Sequence, residues 1–376
     1  MNNNILIIAG EPSGDIRAGE LIRELKKLLS GVSFWGIGAG RMEQEGVELI
    51  EHVSKLSIVG VWEAIKSLSK IREQYKNVTE EVLKRKPALA ILVDYPGFNL
   101  KIASFLHKLD IPVVYYIIPQ IWAWGGGRIK TIKKVVDKAL VLFDFEEKLL
   151  KEAGIDCSFV GHPLLDAAPV SITDRAGKEG TAIALLPGSR KTEILSMFPV
   201  MLDAAENINK EIKNAHFVVA ENSNIEKELY DSAISGHDKL RISRVTDNTW
   251  SCLDRSDFAI VTSGTATLET AVMEKPMVIS YRTSPLTAFL FRTFASAPYI
   301  GLVNIMAGRE VAPELLQEDA TPENLSRKVL EIISDKGLMI RIKEELKKVK
   351  ARLGDKGAAK KAAQKISEFI KAKGLP

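Results

Sequence analysis

Four short segments of this 376-residue chain carry residue types able to hold an anion or move a proton. In Ala9-Gly10-Glu11-Pro12-Ser13-Gly14-Asp15, small residues and a serine lead into a helical pattern, offering free backbone N–H groups to an anion or a sugar hydroxyl. The same letters fit a helix cap by Ser13 or Asp15. Asp94-Tyr95-Pro96-Gly97-Phe98-Asn99 follows the apolar run Ile91-Leu92-Val93, where a carboxylate is placed to act as a general base and Asn99 to orient a hydroxyl. An Asx-turn before Pro-Gly is the structural alternative. Leu186-Pro187-Gly188-Ser189-Arg190 gathers a hydroxyl, a guanidinium and a helix start at one point, which suits a phosphate. Thr262-Ser263-Gly264-Thr265-Ala266-Thr267-Leu268-Glu269 has the makings of a diphosphate cradle, with Glu269 about one helical turn further on to accept from ribose hydroxyls. A Ser/Thr cap with a first-turn glutamate would show similar letters.

Other chemistries find little support. Gly36-Ile37-Gly38-Ala39-Gly40-Arg41 puts Arg41 where a dinucleotide loop needs its third glycine, and no Walker A spacing occurs. The absence of Asp-x-Asp argues against a metal-held diphosphate, and His52, His107, His162, His216 and His237 are scattered without ligand spacing. We therefore expect neither a metal nor a cofactor. His162, in Val160-Gly161-His162-Pro163, is the one histidine near an expected domain junction.

The elements that must position these segments are short apolar runs alternating with helical patterns. Ile5–Ile8, Ser33–Ile37, Ala88–Val93, Val113–Ile117 and Val135–Phe143 read as strands of one parallel sheet covered on both faces. A polar, apolar-poor stretch from Val170 to Thr181 reads as a linker. Beyond it the alternation restarts with Ala182–Leu186, Ala215–Ala220, Phe258–Val261 and Met277–Ile279. Ligands of such sheets bind beyond the strand C-termini, where all four segments fall.

A length of 376 residues calls for at least two cores, and 46% hydrophobic with 27% charged residues excludes a disordered or fibrous chain. The net charge of +4 is uneven: from Arg341 onward there are twelve Lys/Arg against four Asp/Glu, a local +8. Cys157 and Cys252 build no disulfide framework, so a reduced cytoplasmic protein is expected. Neither a signal peptide nor a run of roughly 20 apolar residues is seen. One amphipathic stretch stands apart, Leu56 to Ile71, with Val59, Trp62, Ile65 and Leu68 at mostly helical spacing among Lys66, Lys70 and Arg72. It fits either core packing or a membrane interface.

Taken together, the chain resembles the lipid-A-disaccharide synthase family of GT-B glycosyltransferases. The resemblance rests on Gly10–Asp15, Asp94–Asn99, Trp122-Ala123-Trp124, Gly161-His162-Pro163, Leu186–Arg190, Ser263–Ala266 with Glu269, and Asn304–Gln317, seven motifs in order along nearly the whole chain. It departs once, with Gly125-Gly126-Gly127 before Arg128 where an arginine is expected to follow Trp124 directly.

This resemblance implies two Rossmann-like parallel-sheet domains facing a central cleft: residues 1–169 for the acceptor and membrane, 170–340 for the UDP-sugar donor, and a helical segment 341–376 returning to the first. It implies inverting transfer of diacylglucosamine from UDP-diacylglucosamine to diacylglucosamine 1-phosphate. Asp94 would be the catalytic base, with Glu11, Ser13 and Asn99 on the acceptor side. Arg190, Ser263, Gly264, Thr265, Glu269, Asn304 and Arg309 would bind UDP, and Val59, Trp62, Ile65 and Leu68 an acyl or membrane surface. An anionic membrane at the cytoplasmic face of the inner membrane, and no nucleic acid, would be the partner. A UDP-sugar epimerase of the same fold, or a non-catalytic nucleotide-sugar or lipid-binding protein, are the alternatives.

Overall fold

The computed structural model describes residues 3–53, 61–119, 127–169, 180–283 and 298–375, with the backbone alone for 61–68. In chain order the first elements are β1 (Asn4–Ala9), α1 (Pro12–Leu28), β2 (Ser33–Gly38), α2 (Gly40–Gln44), β3 (Glu48–His52), α3 (Val61–Arg85), β4 (Leu89–Val93), α4 (Pro96–His107), β5 (Val113–Tyr116), α5 (Gly127–Val135), β6 (Lys138–Val141), α6 (Asp144–Glu152), β7 (Cys157–Phe159) and α7 (Leu164–Ala167). They are followed by β8 (Ala182–Leu186), α8 (Lys191–Glu211), β9 (His216–Glu221), α9 (Lys227–Ile234), β10 (Arg241–Thr246), α10 (Thr249–Asp254), β11 (Phe258–Thr262), α11 (Ala266–Val272), β12 (Met277–Tyr281), α12 (Leu302–Ala307), β13 (Glu314–Leu316), α13 (Pro322–Ser334), α14 (Lys336–Arg352) and α15 (Ala358–Ala372).

These form two compact units, Met1–Asp166 with Leu353–Pro376, and Ala167–Arg352. Each holds one all-parallel sheet, in order β3-β2-β1-β4-β5-β6-β7 and β10-β9-β8-β11-β12-β13. The inner strands β1, β4, β5, β8 and β11 are buried almost throughout, which is why they read as continuous apolar runs. The four edge strands β3, β7, β10 and β13 are largely half-buried and gave no such run, so sequence patterning missed them. The run Val135–Phe143 is also divided, since Val135 closes α5 and the strand begins at Lys138.

Strand order reverses between β1 and β4 in the first sheet and between β8 and β11 in the second. Ala9 pairs with Val93, so Gly10 and Asp94 leave adjacent strand ends. Leu186 pairs with Val261, so Pro187 and Thr262 do the same in the second unit. All four chemically promising segments therefore lie at the two switch points, where loops diverge and leave room for a ligand.

The segment expected to return from Arg341 is divided. α14 stays in the second unit, where Lys350 meets Glu274 at 2.8 Å, and only Leu353–Pro376 joins the first. There α15 packs along α1. Its entry is fixed by Gly161-His162-Pro163: the His162 amide donates to Leu353 O at 2.9 Å, and Gly161, at φ +86°, passes so near that a Cβ would lie 3.1 Å from Asp355 O. Asp166 then caps α15 by accepting from the amides of Gly357 (2.5 Å) and Ala358 (3.2 Å).

Candidate active site

In the first unit, Asp94 and Tyr95 both adopt left-handed backbone, at φ 48° and 51°, a conformation costing a non-glycine residue roughly 1–2 kcal/mol. Several contacts hold it. The Asp94 amide donates to Tyr116 O at 3.0 Å, and Asp94 O accepts from Asn99 Nδ2 and Tyr115 Oη, each at 2.7 Å. The Tyr95 ring stacks on Phe98 and fills the space beside Gly10, where a Cβ would sit 2.0 Å from the ring. Burial raises the Asp94 pKa above the usual carboxylate range, the Glu11 charge adds to this, and a hydrogen bond from the Tyr95 amide opposes it. Two carboxylates thus share one neighbourhood, an arrangement that makes Asp94 a stronger proton acceptor than a free aspartate.

Ser13, Asp15 and Asn99 take places other than those the sequence suggested. Ser13 is exposed and caps nothing; the N-cap position of α1 belongs to Glu11, without a side-chain hydrogen bond. Asp15 caps α2 instead, accepting from the amides of Ala39 (2.7 Å), Arg41 (2.9 Å) and Met42 (3.1 Å). That carboxylate fills the place a dinucleotide phosphate would take after Gly36–Arg41. Asn99 is buried, with Nδ2 bound to the carbonyls of Asp94 and Val93, so it grips the turn and presents no amide proton to a hydroxyl. His162 accepts from the Leu164 amide through Nδ1 (3.1 Å), and burial, helped by Arg17, draws its pKa down to about 4. It is a neutral packing residue near neutral pH.

In the second unit, a cavity of about 550 Å³ opens across the ends of β8, β9 and β11 and reaches Asp247 beyond β10. Gly188–Arg190, Asn222, Asp247, Ser263–Ala266 and Glu269 line it. Burial alone lifts the Glu269 carboxyl to about 7. Gly264 and Thr265 are exposed, and nothing lies within 4 Å of where a Gly264 Cβ would stand, leaving that loop open to a ligand.

The Pro187–Arg190 loop differs from expectation. Glu193 turns back to accept from the amides of Ser189 (3.0 Å) and Arg190 (3.2 Å), so these donors are already engaged. Gly188 is needed for this, since a Cβ there would lie 2.6 Å from the Glu193 carboxylate. What this loop leaves for an anion is the Arg190 guanidinium, whose side chain is 77% exposed and, among the described residues, pairs with the buried Glu193 alone.

Ser263 likewise spends its donors internally, its hydroxyl on Ile300 O (3.0 Å) and its amide on Ser280 O. Asn304 is buried, and both ends of its amide are saturated: Nδ2 donates to Ala312 O and Glu314, and Oδ1 accepts from the Val311 and Ala312 amides. Arg309 pairs with Glu345, and neither it nor Asn304 lines the cavity. Ser263 and Asn304 tie neighbouring loops together, while Arg309 makes its ion pair with α14. Sequence reading missed Asn222, Asp247, Tyr95, Tyr115 and Glu193; the polar run Asn222-Ser223-Asn224 directly after β9 was an available signal. Trp122-Ala123-Trp124 and Gly125-Gly126 lie outside the described residues, as do Val59 and the side chains of Trp62, Ile65 and Leu68; Gly127 and an exposed Arg128 open α5.

Comparison with known proteins agrees with this architecture. The glycotransferase of kitacinnamycin shares the fold at a TM-score of 0.63 and 14% identity, covering 99% of both chains. A UDP-N-acetylglucosamine 2-epimerase does so at 0.59 and 13%, covering 99% of this chain and 96% of that one. At such identities the fold alone is shared. The lipid-A-disaccharide synthase of Syntrophus aciditrophicus (strain SB) is 38% identical over 374 residues, 98% of each chain. A family model described as Lipid-A-disaccharide synthetase matches residues 5–370, and the chain belongs to that family of GT-B glycosyltransferases.

Proposed function

We propose that the chain transfers 2,3-diacylglucosamine from its UDP derivative to the 6-hydroxyl of 2,3-diacylglucosamine 1-phosphate, forming a β-1,6-linked tetraacyl disaccharide 1-phosphate and UDP. The donor is an α-glycoside and the product a β-glycoside, so one displacement inverts the anomeric carbon. The acceptor oxygen bonds to that carbon as its bond to the diphosphate breaks, and the hydroxyl proton passes to Asp94. The observation that carries this reading is the Asp94 carboxylate at the first switch point, its basicity raised by burial and Glu11.

The first unit supplies the acceptor side, with the exposed Glu11, whose charge acts on Asp94, and the exposed Ser13 at the start of α1. The second supplies the donor side, where Glu269 accepts from the ribose hydroxyls and Gly264, Thr265 and Arg190 face the diphosphate. An arginine and open loop amides stabilise the charge that develops as UDP leaves. We also place the chain at the cytoplasmic face of the inner membrane, peripherally, through Val59, Trp62, Ile65 and Leu68. Among the described residues no helix is long and apolar enough to cross a membrane.

Incubation with both lipid substrates and mass detection of the tetraacyl disaccharide tests the reading. Wild-type protein should form disaccharide and UDP together. Asp94→Asn should lose roughly 10²–10⁴-fold in turnover while UDP still binds. Absence of disaccharide from the wild type would overturn it.

A further inference from the structure

Asn99 is an unusual choice for the interior of α4. It is fully buried, and among the described residues its Oδ1 has no hydrogen-bond partner, an arrangement that packing alone would not favour over a small apolar residue. Its Nδ2, however, bridges the last carbonyl of β4 and the next, Val93 O at 3.2 Å and Asp94 O at 2.7 Å. Tyr115, equally buried on the neighbouring strand β5, brings its hydroxyl to the same Asp94 O at 2.7 Å. The Asp94 amide is anchored on Tyr116 O. The left-handed backbone of Asp94 is thus held at both its N–H and its C=O by groups that reach it from two other elements.

We propose that Asn99 and Tyr115 are positioning residues of the transfer reaction. They hold the Asp94 backbone in its left-handed turn, so that the carboxylate stays beside Glu11 and away from bulk water. Neither touches the sugars. The inference rests on the reading of Asp94 as the base. Without the two donors, the turn would relax toward an ordinary backbone conformation and the carboxylate would swing. A base displaced by a fraction of an ångström loses its alignment with the acceptor hydroxyl, which lowers the rate more than it weakens substrate binding.

Tyr115→Phe removes one hydroxyl and keeps the ring, and Asn99→Ser is the second variant should the first fold poorly. Steady-state rates with both lipid substrates should show kcat reduced roughly 10- to 100-fold, with acceptor KM and UDP affinity changed by less than about two-fold. The acid limb of kcat/KM should move to lower pH, because the freed carboxylate leaves Glu11 and gains water. Tyr95 and Arg128 of α5 are the other ionisable groups near this turn; Asn99→Ser also removes the hydrogen bond by which Asn99 lowers the Tyr115 phenol, which burial keeps neutral throughout this pH range. In an Asp94→Asn background, Tyr115→Phe should cause no further loss.

A rise in acceptor KM with kcat retained would make these residues substrate contacts and overturn the proposal. A uniform loss with an unshifted acid limb would reduce them to fold stability and overturn it equally, as would unchanged kinetics. If Asp94→Asn keeps full turnover, the base assignment fails and this inference with it. If Asp94→Asn is inactive while Tyr115→Phe and Asn99→Ser are silent, the positioning proposal alone falls.

Discussion

Glu269 stands one turn into α11 with its carboxyl lining the cavity, and burial brings it to about 7, where a small change of pH changes its charge. If ribose hydroxyls donate to it, only the ionised form binds well, so affinity rises as pH rises through that value. A UDP-sugar whose diphosphate does not titrate in this range should bind roughly ten-fold more tightly at pH 8 than at pH 6, and Glu269→Gln should flatten the dependence. Calorimetry at the two pH values decides it; an equal slope in wild type and variant would remove Glu269 from the site. The residue was legible from its place after Ser263-Gly264-Thr265. Its titration was not, because burial comes from chain segments far away in sequence. The same holds for Asn99 and Asn304, whose letters suited ligand binding while their partners were mostly backbone carbonyls and amides of neighbouring loops, which carry no side-chain signature.

The inner strands were visible because a strand covered on both faces must be apolar at every position, whereas an edge strand needs only part of that. β3, β7, β10 and β13 escaped for this reason. α15 shows how much an element can depend on a distant partner. It buries Ile366, Phe369, Ile370 and three alanines, and its start is tied to Gly161 and Asp166. At roughly 1.5–3 kcal/mol for each large apolar side chain, its loss would remove a sizeable part of a typical domain stability of about 5–15 kcal/mol. Truncation after Arg352 should therefore lower or abolish the unfolding transition of the first unit while leaving UDP binding by the second. Two unchanged transitions in a thermal scan would refute this.

The basic excess that begins at Arg341 is not a free tail. Its +8 divides equally, +4 on residues 341–352 in the second unit and +4 on 353–376 in the first. The charge is therefore carried on two packed helices, α14 in the second unit and α15 in the first, and not on one free basic segment. Attachment through Leu56–Ile71 assisted by such charges should weaken with salt, since exposed charges are screened over about 8 Å at physiological ionic strength. Co-sedimentation with vesicles containing anionic lipid should fall when Trp62 and Ile65 are both changed to serine, with the melting temperature preserved. Unfolding of that variant would mean the segment is core, and undiminished binding would place the membrane contact elsewhere.

The order of apolar runs was enough to determine two parallel α/β units, and the order of seven motifs was enough to identify the family, because both signals are local and survive without knowledge of any contact. Tertiary structure alone decided which motif residues stay open at the cavity and the switch points and which hold the fold. Asp15, Asn99, Glu193, Asn304 and Gly161-His162-Pro163 all turned inward, to partners on other elements or loops. Hydrogen-bond donors and acceptors look alike in a sequence whether they await a substrate or a backbone amide, and only the register of the sheets and the packing of the loops distinguishes the two.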